Sequence, residues 1–287
     1  MNVNKRKDFS VFMLPTFLVL VIVLAIPLIY SLVVSLFDTN LKYSGLGNFV
    51  GLKNYINSLT DPYFLDSAKT TIIFTVGVVA FEFIIGLFIA LLLNAEVRGK
   101  NIFFSIIIIP MMITPIAVGL TWRLLLHSDL GIVNYLLTFL GISEKAWLAD
   151  PSLALKTVMF IDIWQQVPYM VLVILAGLVS LPKEPYEAAM VDGATRVKRF
   201  FYLTVPMMKP TFIVVILLRT ITALKTYDLV YVLTKGGPGV ETEVISYHIY
   251  QKAFRYLEIG KASAMSYILL LAIVPISILF VKLTKNK

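Results

Sequence analysis

Residues 11–37 read VFMLPTFLVLVIVLAIPLIYSLVVSLF, 27 positions without a charged side chain. A helix that crosses a bilayer needs roughly 20 mostly apolar residues, and this run exceeds that. It follows Lys5-Arg6-Lys7, as the apolar core of a secretory signal would, but such a core is only about 7–15 residues long. No clear small-residue cleavage site precedes Asp38. The run therefore reads as an uncleaved first span.

Five more apolar runs follow, at about 70–93, 102–126, 152–180, 210–233 and 260–283. The expected fold is an all-α, six-helix transmembrane bundle, with residues 1–287 as one domain. Composition agrees: 59% of the chain is hydrophobic and 15% charged, with mean hydropathy +0.86, against about 25% charged for a soluble domain. Pro27, Pro110, Pro115, Pro168 and Pro275 interrupt spans, where each removes a backbone donor and favours a packing kink. No internal repeat or low-complexity segment is visible.

The net charge of +8 raises nucleic acid or anionic lipid as partners. Its distribution decides between them. With the N-terminus placed in the cytoplasm, the inside segments 1–10, 94–101, 181–209 and 282–287 carry 13 Lys/Arg in 53 residues, and the outside loops 7 in 83. That threefold density bias is the positive-inside pattern. Both termini are expected in the cytoplasm, membrane lipid is the partner of the charge, and a nucleic-acid reading loses its support. Trp122 fits an interfacial belt, and Arg123 beside it is expected to snorkel.

Several chemistries are excluded. With no cysteine there is no disulfide or thiol chemistry, and two histidines, His127 and His248, do not make a metal cluster. No Gly-x-x-x-x-Gly-Lys-Ser/Thr phosphate loop occurs, nor a Ser, His and Asp constellation. The chain is not read as an enzyme, and it is expected to hold no cofactor itself.

The segment 181–209 is long for an inside connection. Pro185 suits the first position of a helix, where its missing N–H costs nothing, and Glu184 and Glu187 sit at the positive end of the dipole. Gly193 permits a sharp turn. A basic amphipathic piece, Thr195 to Tyr202, leads to Val205-Pro206. A helix lying on the lipid surface would account for this pattern. The string Glu187-Ala188-Ala189, Asp192-Gly193-Ala194, then Phe200, Leu203 and Pro206 also resembles the EAA loop of binding-protein-dependent ABC importers, with Val205 departing from the Leu usual before the proline. In that family the loop is the coupling helix that docks on a cytoplasmic ATPase. The resemblance implies ATPase coupling through Glu187, Ala188, Ala189, Asp192, Gly193 and Pro206. Asn48 to Tyr55, Leu233 to Pro238, Thr242 and Gln251 to Phe254 are similar to carbohydrate importers of the maltose, glycerol-phosphate and oligosaccharide type. The similarity spans about 11–283, in a form without the extra spans of the maltose prototype.

Polar groups inside a bilayer face a bundle interior or a cavity. Asp162, Gln165, Gln166 and Tyr169 recur at i, i+3, i+4, i+7, one face of the fourth span. Arg219, Thr222 and Thr226 repeat the pattern on the fifth, with Lys225, Tyr227 and Asp228 beside them. Carboxylate, amide, guanidinium and aromatic groups suit a polyol. They also serve as interhelical polar links, and Asp162 could pair with Arg219 or Lys225. Glu82 reads as a lone intramembrane acid, either a contact for a partner subunit or a site for a proton or sodium.

The reading is thus the membrane subunit of an importer for a sugar or oligosaccharide, in the bacterial cytoplasmic (inner) membrane. The resemblance implies a second homologous permease, a dimer of ABC ATPases that bind the ATP, and an extracytoplasmic sugar-binding protein. Alternatives are an ion-coupled secondary transporter and an ABC permease for a non-sugar solute.

Overall fold

A computed structural model describes residues 5–95 and 99–285, with side chains from 13 to 95 and 99 to 284. Of the predicted inside segments, residues 1–4, 96–98 and 286–287 lie outside the described residues, as do the side chains of Lys5, Arg6 and Lys7.

Helix α1 runs through Lys5–Leu20, a π turn at Val21–Ala25, and Ile26–Ser35. Short α2, Lys53–Thr60, precedes α3, Pro62–Asn94. Then come α4 Lys100–Met112, α5 Pro115–Leu125, α6 Ile132–Phe139 and α7 Ala154–Val179. Helix α8 is Glu184–Val191; α9 comprises Arg196–Arg199, a π turn at Phe200–Thr204, and Val205–Leu224. Helix α10 is Asp228–Leu233, α11 joins Ile245–Tyr250 to a π turn at Gln251–Arg255, and α12 is Ile259–Lys285. The described residues contain no strand, only a bridge between Phe37 and Phe49.

Among the described residues five helices are long and apolar enough to cross a membrane, and a bent pair, counted as one span, brings the number to six. The bent pair corrects the third span, expected as one helix over 102–126. Helices α4 and α5 meet at 95°. Proline pushes its preceding residue out of the helical region: Thr114 before Pro115 has ψ 143°, and Ile113 has ψ 137°. At 1.5 Å per residue the halves are about 20 and 17 Å long, so neither alone crosses a core of about 30 Å.

The fifth span is also longer than read. Expected over 210–233, it starts at Arg196 and breaks after Leu224. Its π turn has a local cause. Pro206 has no N–H to bond the Tyr202 carbonyl four residues back, and the ladder slips by one residue at Phe200–Thr204. Pro27 stands in the same relation to Val21–Ala25. At Lys225 the ladder tightens into three-residue steps, Lys225 N–H to the Thr222 carbonyl and Thr226 N–H to that of Ala223, both 3.1 Å.

The contacts gather into two units, residues 1–64 with 249–271, and residues 65–248 with 272–287. In the first, buried Asn54 donates from Nδ2 to the carbonyls of Ser35 and Phe37, both at 2.9 Å, closing the end of α1. The Ser35 and Tyr55 hydroxyls meet at 2.6 Å. The 48–55 stretch singled out above thus has a structural task. Along α1 the side chains from Met13 to Ile29 are exposed, apart from half-buried Val21 and Ala25.

The second unit is built around α7. Val158, Ile161, Met170, Val171 and Ile174 are fully enclosed. Helix α3 lies directly against it at Gly86, where a Cβ would come within 2.6 Å of the Met170 Cβ. Small residues allow such approach where lipid gives no hydrophobic push between helices. In the loop after α10, buried Thr242 bonds the Thr234 hydroxyl at 2.7 Å and the Gly237 carbonyl at 2.8 Å.

Candidate translocation path and coupling loop

The polar faces of α7 and α9 meet over a cavity of about 200 Å³. Asp162, Gln165 and Gln166 line it from α7, Arg219 and Thr222 from the end of α9, and Thr226 from just beyond that end. Pro115, at the bend of the third span, and Lys225, Tyr227 and Asp228 complete much of the wall. Six of the seven residues expected along the path thus share one space. Tyr169 does not line it; it is half-buried one turn further along α7.

The rear wall is ionic. Arg219 donates from Nε to Glu82 Oε2 at 2.6 Å and from Nη2 to Glu82 Oε1 at 2.8 Å. The same Nη2 also bonds Asp162 Oδ2. Exposures of 0, 4 and 3% for Glu82, Asp162 and Arg219 remove all three from solvent. Nη1 reaches the Thr222 hydroxyl at 3.3 Å. A guanidinium fork suits a carboxylate bidentately, and here it joins α3, α7 and α9. This corrects the reading of Glu82 as a lone acid: both its oxygens are taken from within the chain. Glu82 and Arg219 stand 137 residues apart, so no spacing rule could pair them.

Gln165 has a divided role. Its Nε2 donates to the Ile113 carbonyl at 2.9 Å, satisfying a backbone acceptor freed by the bend. Its Oε1 is buried and meets no donor. An acceptor left this way costs about 1–3 kcal/mol. Arg123, which is exposed, donates from Nη1 to the Val232 carbonyl at 3.2 Å.

The loop at 181–209 contains the expected short helix α8 with Glu184 and Glu187 in its first turn. It ends in a Schellman cap. Gly193 has φ 73°, its N–H bonds the Met190 carbonyl at 3.1 Å, and the Ala194 N–H bonds that of Ala189 at 2.8 Å. No atom lies within 4 Å of a Cβ built there, so conformation rather than space demands glycine. Gly193→Ala should therefore cost about 1 kcal/mol locally, read as faster amide exchange over 188–195 with no change elsewhere. The Thr195 hydroxyl caps α9 through the Lys198 N–H at 3.3 Å, and Tyr186 reaches Thr204 at 3.0 Å. Glu187, Ala188 and Asp192 are exposed, Ala189 is half-buried, and Met190, Val191 and Val197 are 51, 88 and 66% exposed. Pro206 stands on α9, behind the π turn.

Residues 82–286 match the model of the family described as binding-protein-dependent transport system inner membrane component. The chain belongs to that family. Among its relatives, a probable ABC transporter permease protein, y4oQ, of Sinorhizobium fredii is 38% identical over 93% of this chain and 86% of its own. The trehalose/maltose transport system permease protein MalF of Thermococcus litoralis is 38% identical over 82% and 79%. The fold matches a chain in the crystal structure of a bacterial ABC transporter involved in import of the acidic polysaccharide alginate, with TM-score 0.87 and 23% identity, over 99% of this chain and 98% of that one. This family member is a multi-pass inner-membrane permease subunit of an ABC importer and works with a binding protein. It is a transport component rather than an enzyme.

Proposed function

We propose that this permease forms one half of the passage for an uncharged sugar or oligosaccharide. The convergence of Asp162, Gln165, Gln166, Arg219, Thr222 and Thr226 on one polar cavity supports the reading. A space of about 200 Å³ falls below the roughly 300–1,000 Å³ of complete ligand sites. A second, homologous permease subunit would supply the facing wall. Arg219 is engaged by Glu82 and Asp162, which favours a neutral solute over an anionic one. Trehalose and maltose, named for the Thermococcus relative, are of that class.

In this scheme both termini and residues 181–209 face the cytoplasm. Two copies of an ABC ATPase dock on the loop through Glu187, Ala188, Ala189, Asp192 and Gly193, while Pro206 shapes the helix behind it. They bind the ATP, and this chain carries no cofactor of its own. The sugar-binding protein delivers the solute on the opposite side. ATP-driven closure favours one of two bundle states through its differential affinity for them.

The test is uptake of labelled neutral and acidic oligosaccharides by cells expressing this chain with its partner subunits. Neutral sugars should enter, insensitive to ionophore at constant cellular ATP. Entry of acidic sugars alone would overturn the neutral assignment. Gln165→Leu, in a complex that still assembles, should raise KM about tenfold. An unchanged KM would remove Gln165 from the path.

A further inference from the structure

Two apolar hollows flank the first half of α7, away from the face that carries Asp162 and Gln165. The larger, about 660 Å³, lies among α3, α4 and α7, with Phe81, Ile85, Ile106, Ile163 and Trp164 in its walls. The smaller, about 480 Å³, is walled by Trp122, Leu126, Trp147 and Leu153. Lys156 and Phe160 line both. Between the hollows runs an aromatic ridge, Trp122 edge-on to Phe160 at 5.7 Å and to Trp164 at 5.5 Å.

Lys156 is the one charged side chain in either lining. It is exposed and makes no ion pair among the described residues. The Asp150 carboxylate, in the preceding loop, is taken by the Ser152 N–H and hydroxyl, both at 2.7 Å. The cation therefore stands at the head of the larger hollow and beside the smaller, outside any ion pair, with Asp150 acting on it only through space.

The dimensions identify what fits. From Lys156 to Pro168, the far wall of the larger hollow on α7, is about 18 Å along the helix. Half of a hydrocarbon core is about 15 Å, so the hollow has the depth of one leaflet. A partner's spanning helix would cross the whole core. All three tryptophans of the chain, Trp122, Trp147 and Trp164, lie in these walls, the residue type enriched at the headgroup level.

We infer that this region binds one phospholipid, its phosphate on Lys156 and its two acyl chains in the two hollows. Charge complementarity supplies the selectivity: a basic side chain near the surface is worth about fivefold in affinity for an anionic lipid. The same chemistry makes the site prefer phosphatidylglycerol to an uncharged diacylglycerol of equal chain length.

The experiment uses the assembled importer, purified in detergent and titrated with phosphatidylglycerol under native mass spectrometry. The wild-type complex should retain one lipid that Lys156→Glu loses by about fivefold or more and Lys156→Arg keeps. In vesicles of phosphatidylcholine doped with acyl-brominated phosphatidylglycerol, tryptophan emission should be quenched at lower dopant fractions in wild type than in Lys156→Glu. The difference should shrink when Trp164 is Phe and vanish when Trp122, Trp147 and Trp164 are all Phe. Equal lipid retention by wild type and Lys156→Glu would overturn the inference. So would efficient disulfide cross-linking of Ile106→Cys to a helix of the second permease, because the hollow would then be filled by protein.

Discussion

Arg219→Met leaves Glu82 and Asp162 facing each other with no cation between them, and it should destabilise the subunit by about 3–5 kcal/mol. The magnitude follows from the enclosure, since Glu82 and Asp162 are 0 and 4% exposed. Thermal unfolding of the purified importer, or the yield of assembled complex, measures it. Removing all three charges together, as Glu82→Gln, Asp162→Asn and Arg219→Met, removes the desolvation cost along with the attraction. Replacing a whole buried ion cluster is often neutral or stabilising. The triple variant should therefore recover most of the stability that the single variant loses. If the single variant unfolds no more readily than wild type, the three groups are not the closed network described above.

Glu187→Arg is expected to abolish uptake while leaving the bundle intact. Glu187 is exposed in the first turn of α8, so within the chain the reversal acts only on the helix dipole, at about 0.3–1 kcal/mol. At an interface, reversing a charge that meets its complement costs at least 2–5 kcal/mol, a fall in uptake of thirtyfold or more. The two scales separate the explanations. Lost uptake with an unchanged unfolding temperature and a weaker grip on the ATPase marks a docking residue. Normal uptake at equal expression would remove Glu187 from the coupling surface.

What the sequence could convey followed from what the bilayer forbids. Apolar runs longer than about 20 residues located the spans. An amide or a carboxylate every third or fourth position on such a run makes sense only facing inward, which is why Asp162, Gln165 and Gln166 could be grouped with Arg219, Thr222 and Thr226 before any coordinates. Tyr169 obeyed the same spacing yet sits beyond the cavity, because a helical face is longer than the space it borders. The 95° bend was not legible. Pro110 and Pro115 announced kinks, but the Gln165 Nε2 that donates to the freed Ile113 carbonyl stands 52 residues away. The partner of Glu82 was hidden for the same reason, since pairing across helices leaves no local trace. The local fold of residues 181–209 was readable because its signals are local: Pro185 at a start, acids in a first turn, and a glycine where φ must be positive.

The continuity of α9 has a mechanical consequence. From Arg196 beside the loop to Arg219 at the cavity the helix runs unbroken for about 35 Å, stiff except for the slipped turn at Phe200–Thr204. A tilt of about 5° imposed at one end of such a rod displaces the other by about 3 Å, a solute hydroxyl's width. Information therefore travels both ways along it. Coupling between two sites is reciprocal in free energy, so under the proposed function a sugar that favours one position of Arg219 would alter the ATPase's affinity for the loop by the same factor by which docking of the ATPase alters the affinity for the sugar. An empty transporter and a loaded one would then differ in how firmly they hold their motor.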